Sequence, residues 1–144
     1  MIRFSRSEDY AIILIHTLAN EYKKRLVPLR EIARQNHISL LFLRNLASQL
    51  RKANIIGAIE GKNGGYFLKS DPKDLKIGDI LHVFSPNPFL PCCEIGHKKG
   101  ICDKAKFCGT GVIWRKLNEE FLHKLSLMTL AEFMSQKEDV SDVQ

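Results

Sequence analysis

Two short helix-forming segments, followed at once by a hairpin signal, restrict the fold of this chain more than any other feature. Apolar residues recur at steps of three and four from Pro28 onward, which predicts a short helix there and a second helix capped by Ser39. Residues 55–59 and 66–68 have the composition of two β-strands around the turn Lys62-Asn63-Gly64-Gly65, which tolerates positive φ. The chain is therefore expected to be mainly α-helical with a small β-hairpin.

The second helix of the pair has an apolar inner face and a polar, basic outer face. Leu43, Leu46 and Leu50 are among the residues that face inward. Two short helices of this kind predict a helix-turn-helix, and the hairpin that follows has the position of a wing. A plain helical bundle closed by a hairpin is the other interpretation. The candidate DNA contacts are Arg44, Asn45, Ser48, Arg51 and Lys52 on the helix and Lys62, Asn63, Gly64 and Gly65 in the wing.

Helices are also predicted on both sides of this unit. Ser5 and Glu8 form a capping box for a first helix that extends to about Asn20, and a short helix is expected near residues 75–83. A long helix resumes at about Val112, and its apolar stripe approximates a heptad seam that either a second subunit or the chain's own domain would bury. The members of the stripe are Trp114, Leu117, Phe121, Leu125 and Met128. A second capping box, at Thr129 and Glu132, begins a short final helix.

The predicted elements divide the chain into parts of different charge. Residues 1–84 contain 14 Lys and Arg against 8 Asp and Glu, whereas residues 85–144 contain 8 of each, so the basic part is the one expected to bind a polyanion. The expected parts are a winged helix-turn-helix domain over 1–84, a cysteine-rich loop over 85–111, a dimerisation helix and short final helix over 112–134, and a flexible tail over 135–144.

The sequence shows no sign of a membrane span or of export. Its longest apolar run, residues 11–15, is far shorter than the roughly 20 residues that a transmembrane helix needs. No signal peptide is recognisable, so a cytoplasmic protein without a membrane partner is expected. No nucleophile with a positioned base is apparent either, and the chain is not expected to be an enzyme.

All four cysteines of the chain, Cys92, Cys93, Cys102 and Cys108, lie in one short stretch rich in proline, glycine and lysine. A disulfide framework is the weaker interpretation for a chain that stays in a reducing compartment. Thiolates at short, irregular spacings suit zinc or an iron-sulfur cluster, and a redox thiol pair or incidental cysteines are the other interpretations. The spacing alone does not select the metal.

Taken together, the motifs resemble those of the bacterial winged-helix repressors that carry an iron-sulfur cluster, a family that includes IscR, NsrR and RirA. The resemblance covers roughly residues 2–134 and rests on Leu50-Arg51-Lys52-Ala53, on the wing Gly61-Lys62-Asn63-Gly64-Gly65-Tyr66, on the cysteine loop and on the long helix. It implies a homodimer that crosses its two long helices and binds a palindromic operator on double-stranded DNA. Glu60 differs from the arginine that many members place before the wing glycine, where it can enter the minor groove.

The resemblance also implies a ligand set for the cluster. Three cysteines hold it in the family, and the matching residues are Cys93, Cys102 and Cys108, with Cys92 as an alternative first ligand. Gly111 replaces the histidine that typically follows the last cysteine in the two-iron regulators. In the nitric-oxide-sensing branch the fourth ligand is an aspartate of the other subunit's first helix, and Asp9 has that position. That branch and a 4Fe-4S rather than a 2Fe-2S cluster are therefore favoured.

From these residues and this resemblance we expect a DNA-binding transcriptional regulator, and more specifically a repressor. Its signal would be nitric oxide, redox state or iron status. The alternative is a cluster-free or zinc-bound regulator of the same fold that responds to metal or to thiol oxidation. That alternative keeps the DNA-binding surface and differs in the chemistry of the loop.

Overall fold

A computed structural model describes residues 5–84 and 109–135 of the chain. The predicted tail beyond Ser135, most of the predicted loop and all four cysteines lie outside the described residues. Neither described segment contains a helix that is long and apolar enough to cross a membrane. The elements are α1 (Arg6–Asn20), α2 (Leu29–Gln35), α3 (Leu40–Lys52), β1 (Ile56–Ile59), β2 (Gly65–Leu68), α4 (Ile77–His82), α5 (Gly109–Leu127) and α6 (Leu130–Ser135).

The mainly helical fold with one hairpin confirms the predicted fold class, and the start of α1 follows from its sequence. The Glu8 amide donates to Ser5 Oγ at 3.3 Å, and the Ser5 amide donates to a Glu8 carboxylate oxygen at 2.5 Å, which completes the capping box. Ser39 is the N-cap residue of α3 as predicted, but its side chain makes no capping hydrogen bond. Ala53 is the C-cap of that helix, and Asn54 follows it with a φ of 63°, a left-handed conformation that asparagine tolerates.

The apolar faces of α1, α2 and α3 meet in one core. α1 packs against α3 and β2, and α2 packs against α3. Burial of side chains of this size contributes about 1.5–3 kcal/mol each before the entropy cost, so the core fixes the relative orientation of the three helices. The largest fully buried side chains are Leu14, Ile15, Leu18, Ile32, Leu43, Leu46, Leu50, Ile56, Ile77, Ile80 and Leu130.

The hairpin is antiparallel and is attached to the helical core by its second strand. Gly57 pairs with Phe67, and an added Cβ on this glycine would lie 2.3 Å from the Phe67 ring. On the other edge of β2, the Val27 amide donates to the Tyr66 carbonyl at 3.0 Å and the Tyr66 amide donates to the Val27 carbonyl at 2.9 Å. The wing is therefore held between the segment before α2 and the end of α3.

The C-terminal helices are tied to the N-terminal unit by backbone hydrogen bonds as well as by packing. The Ile77 amide donates to the Met128 carbonyl at 3.0 Å, and the Leu130 amide donates to the Leu75 carbonyl at 2.7 Å. Gly78 lets α4 approach α5 closely, since an added Cβ would lie 3.0 Å from Ser126 Cα. The end of α5 is thus fixed relative to the rest of the described chain.

The predicted apolar stripe of α5 divides into two parts in the structure. Leu125 is buried at 8% exposure, and Phe121 packs against the core. Trp114 and Leu117, in contrast, remain 52% and 49% exposed, and Ile113 is exposed beside them. The helix begins at Gly109, somewhat before the start near Val112 that the sequence pattern predicted. Its C-terminal half packs on its own chain, whereas its N-terminal half presents an apolar patch.

Candidate nucleic-acid interface

The outward face of α3 is polar and positively charged. Arg44, Asn45 and Ser48 are exposed within one turn of each other, and Arg51 and Lys52 continue the exposed surface toward the end of the helix. α3 contains no Asp or Glu. The face arises because Leu43, Leu46, Ala47 and Leu50 bury the opposite side, so the helix can rotate in neither direction without exposing them.

The turn between α2 and α3 fixes how α3 is presented. The Ile38 amide donates to the Ala33 carbonyl at 3.0 Å, and the Ile38 side chain is buried. His37, just before it, has a φ of 54°. Ile38 therefore anchors a tight connection between the two helices, as a helix-turn-helix requires.

An ion pair braces the loop that leads into α2. The Arg25 guanidinium donates to both carboxylate oxygens of Glu31, at 2.9 and 2.6 Å, and approaches Glu21 at 3.2 Å. The hydrogen bond from Arg25 lowers the pKa of Glu31 below its ordinary value. Because Arg25 is exposed and both glutamates remain partly exposed, the pair orients the loop more than it stabilises the fold.

The tip of the wing exposes Lys62 and Asn63. The Gly64 amide donates to the Gly61 carbonyl at 3.1 Å and closes the turn. Gly64 is half-buried and Gly65 is buried, so of the four predicted wing residues these two lie under the exposed surface rather than on it. Side-chain contacts with a nucleic acid are available from Lys62 and Asn63.

The cations of this surface are not neutralised inside the described chain. Both ion pairs among the described residues involve Arg25. Arg44, Arg51, Lys52 and Lys62 are exposed and face no carboxylate within ion-pair distance in residues 5–84 or 109–135. Unpaired cations on a helix and on the adjacent hairpin form the electrostatic footprint expected for binding phosphates.

One exposed residue of α3 was not predicted from the sequence. Leu41 is 69% exposed and lies on the same outward face as Arg44 and Asn45. It borders an open cavity of about 420 Å³ between the start of α1 and the start of α3. Its spacing of three residues from Arg44 and four from Asn45 could have placed Leu41 on the outer face. A leucine among inward-facing leucines, however, is ordinarily assigned to the core.

The predicted metal ligands are placed only in part. Asp9 is exposed in the first turn of α1, and its carboxylate makes no hydrogen bond or ion pair with a described residue. The described residues contain no group of three His, Cys, Asp or Glu side chains that could hold a metal ion. Cys92, Cys93, Cys102 and Cys108 lie outside these residues, so their arrangement stays a prediction.

A helix pair with a basic outward helix, followed by a hairpin that exposes Lys62 at its tip, is typical of winged helix-turn-helix DNA-binding proteins. The family model of Rrf2, described as an iron-dependent transcriptional regulator, matches residues 4–136. The chain belongs to this family of transcriptional regulators.

Relatives and solved structures agree with the family match. The transcriptional regulator IscR of Vibrio vulnificus is 33% identical over 137 residues, which cover 94% of this chain and 80% of the relative. The structure of T. potens IscR superimposes with a TM-score of 0.74 at 27% identity over 99% of this chain and 93% of the other. The structure of CymR, the global cysteine regulator of B. subtilis, superimposes with a TM-score of 0.75 at 26% identity over 94% and 98%.

Proposed function

We propose that this chain is a homodimeric repressor whose binding to a palindromic operator is controlled by an iron-sulfur cluster. The observation that carries the proposal is that all four cysteines lie between α4 and α5, in the connection from the DNA-binding unit to the long helix. The family's description as iron-dependent and the likeness to IscR support it. The expected partner is double-stranded operator DNA, and the expected location is the cytoplasm. No enzymatic activity is part of the proposal.

The donor set suits a cluster. Cys93, Cys102 and Cys108 supply three soft thiolates, with Cys92 as the alternative first ligand, and Asp9 offers an exposed carboxylate without a partner among the described residues. Three thiolates and one oxygen ligand favour a 4Fe-4S over a 2Fe-2S cluster in the branch that this chain resembles. When bound, the cluster supplies a centre whose state depends on nitric oxide, oxygen and iron supply.

The apolar patch on α5 supports the dimer. Ile113, Trp114 and Leu117 form one exposed side of the helix, and an exposed cluster of large apolar residues is typical of a protein interface. A second copy of the same helix offers an equally apolar face, and a two-fold dimer buries both at once. Two outward α3 helices related by that axis would bind a palindromic operator.

The connectivity suggests how the loop controls DNA binding. Cys108 immediately precedes Gly109, the first residue of α5, and the far end of α5 is fixed to residues 75–77 by hydrogen bonds. Ligation through Cys108 of one subunit and Asp9 of the partner subunit would therefore hold the start of α5 in one copy against the start of α1 in the other. Loss of that ligation would change the spacing of the two α3 helices and release the operator.

The direct test is the metal content of protein purified without oxygen. We expect a visible chromophore with iron and sulfide, altered by nitric oxide. The variants Cys102→Ala and Cys108→Ala should lose iron and colour. The pair Cys93→Ala and Cys92→Ala identifies the first ligand, and we expect the loss in the Cys93 variant and retention in the Cys92 variant. Colourless wild-type protein, or a chromophore retained in the Cys102→Ala and Cys108→Ala variants, would contradict the proposal.

Asp9 is tested separately, because the three thiolates can hold a cluster without it. Asp9→Ala should keep iron and sulfide but change the visible spectrum and the response to nitric oxide. Asp79→Ala is the matched control, since Asp79 is also an exposed acid in the first turn of a helix. An unaltered spectrum and response in the Asp9 variant would exclude the fourth-ligand assignment alone.

A cluster-free or zinc-bound thiol regulator is the second candidate, and the likeness to CymR favours keeping it. CymR is named a cysteine regulator, and its fold matches this chain as well as that of IscR does. The metal analysis separates the two candidates. Zinc without sulfide, or no metal, together with operator binding that responds to thiol oxidation would establish the second.

A further inference from the structure

Leu41 is the most exposed large apolar residue in the described chain. It is the second residue of α3, and 69% of its surface is accessible, whereas its neighbours Leu40 and Phe42 pack against the core. Its exposure follows from the helix register, because it precedes Arg44 by three residues and Asn45 by four. Leu41 therefore belongs to the same surface stripe as the polar side chains that are candidates for base contacts.

The surroundings of Leu41 indicate what this side chain would meet. A recognition helix inserts its N-terminal residues among base edges in the major groove, and Leu41 lies in the first turn of α3. Arg6, His37 and Ser39 line the cavity next to it, and their side chains could donate hydrogen bonds to phosphates of a DNA strand bound there. The Leu41 side chain has no hydrogen-bonding group, so this side chain can discriminate between bases only by apolar contact.

The major groove offers one apolar group on a base edge, the 5-methyl group of thymine. We propose that Leu41 is a specificity-determining residue that recognises a thymine methyl group in each operator half-site, beside the bases that Arg44 and Asn45 contact. This inference rests on the proposed operator binding through α3. It adds a preference for thymine that the polar residues of the surface do not explain.

The test removes the methyl group without changing any hydrogen bond. The wild-type full-length protein, purified without oxygen, first selects its preferred duplex from a random-sequence pool. Each thymine of that duplex is then replaced by deoxyuridine, which lacks only the 5-methyl group. We expect a loss of affinity of about fourfold at one position of each half-site, the effect of burying one methyl-sized group.

Variants of Leu41 assign the effect to this residue. Leu41→Ala should bind the thymine duplex more weakly and bind the thymine and deoxyuridine duplexes equally. Leu41→Met is the matched control, because it retains an apolar side chain of similar size and should keep the discrimination. Helical circular dichroism should be unchanged in both variants, since the residue is exposed and both replacements favour helix.

The possible failures are distinguishable. Equal affinity of the wild type for the thymine and deoxyuridine duplexes, or the same discrimination in Leu41→Ala, overturns the inference and leaves operator binding intact. Failure to select any preferred duplex overturns sequence-specific operator binding and the inference with it. A thymine preference that Leu41→Ala abolishes and Leu41→Met retains establishes the contact.

Discussion

At the scale of single residues, the wing depends on close backbone contacts that only glycine allows. The pattern Asn63-Gly64-Gly65 was expected to provide positive φ, yet among the described glycines only Gly61 has a positive φ, of 120°. An added Cβ on Gly64 would lie 2.1 Å from the Ile59 carbonyl oxygen, and one on Gly65 would lie 2.9 Å from the Val27 backbone. These glycines are required because other chain segments pass next to them.

Gly65→Ala should therefore weaken the fold and separate the wing from the segment before α2. The Val27 backbone cannot move without breaking its two hydrogen bonds to Tyr66, so we expect a loss of about 1–3 kcal/mol in the free energy of unfolding. Urea unfolding monitored by circular dichroism measures this loss. Gly109→Ala is the control, since no atom of another segment among the described residues lies within 4 Å of its added Cβ. Equal stability of the two variants would contradict the close-contact explanation.

At the scale of elements, local signals predicted most of the fold. The capping box before α6 is an example: the Thr129 amide donates to Glu132 at 2.8 Å, and the Glu132 amide donates to Thr129 Oγ1 at 3.2 Å. The bond from the Thr129 amide also lowers the pKa of Glu132. Such signals lie within four residues of each other, and the sequence contains them completely.

Features that depend on distant segments were not predictable in the same way. The periodicity of α5 identified one apolar stripe, but it could not show that Leu125 is buried while Trp114 and Leu117 are exposed. The exposure of Leu41 was hidden for the same reason, because periodicity identifies a face but does not identify what covers it. The cysteine site stays a prediction from composition and from family resemblance, because all four cysteines lie outside the described residues.

Within the charged surface of α3 and the wing, we expect some residues to bind phosphates and others to discriminate between bases. Lys62→Ala should weaken binding to all duplexes alike and reduce the salt dependence, by about one unit of slope per lost phosphate contact. Arg44→Ala should instead cost about 1–3 kcal/mol against the preferred base and relax the sequence preference. Fluorescence anisotropy titrations at several salt concentrations, with matched and altered duplexes, measure both effects.

The control for this pair is Lys73→Ala, which removes an exposed lysine outside the proposed surface. Its affinity and salt slope should equal those of the wild type. If Lys62→Ala and Arg44→Ala also behave like the wild type, the surface has been assigned to the wrong residues.

At the scale of the whole molecule, the chain joins a basic DNA-binding unit to a helix with an apolar patch that is exposed among the described residues. Hydrogen bonds from Ile77 to Met128 and from Leu130 to Leu75 connect the two parts. The C-terminal end of α5 is fixed to the unit that contains α3. A second subunit bound to the N-terminal half of α5 would therefore also have a fixed position relative to α3. The geometry of a dimer would therefore determine the spacing of its two α3 helices.

Leu117→Lys should disrupt the proposed dimer, because it places a charge within the apolar patch of Ile113, Trp114 and Leu117. We expect a monomer in sedimentation equilibrium and a loss of affinity for the palindromic duplex. Trp114 is the only tryptophan of the chain and is 52% exposed in the described chain, so its fluorescence should shift to longer wavelength when the dimer dissociates. Phe133→Lys, which places the same charge on α6, should remain a dimer. A dimeric Leu117→Lys protein would exclude this patch as the interface.

The measurement that tests cluster control most directly is the operator affinity of one oxygen-free sample before and after nitric oxide, with the visible spectrum recorded at each step. Control of DNA binding by the cluster predicts that affinity falls in parallel with the chromophore, by about 5- to 150-fold, the usual range of coupling between two sites. The Cys102→Ala protein should show no such change. An operator affinity that stays constant while the chromophore is destroyed would contradict control by the cluster.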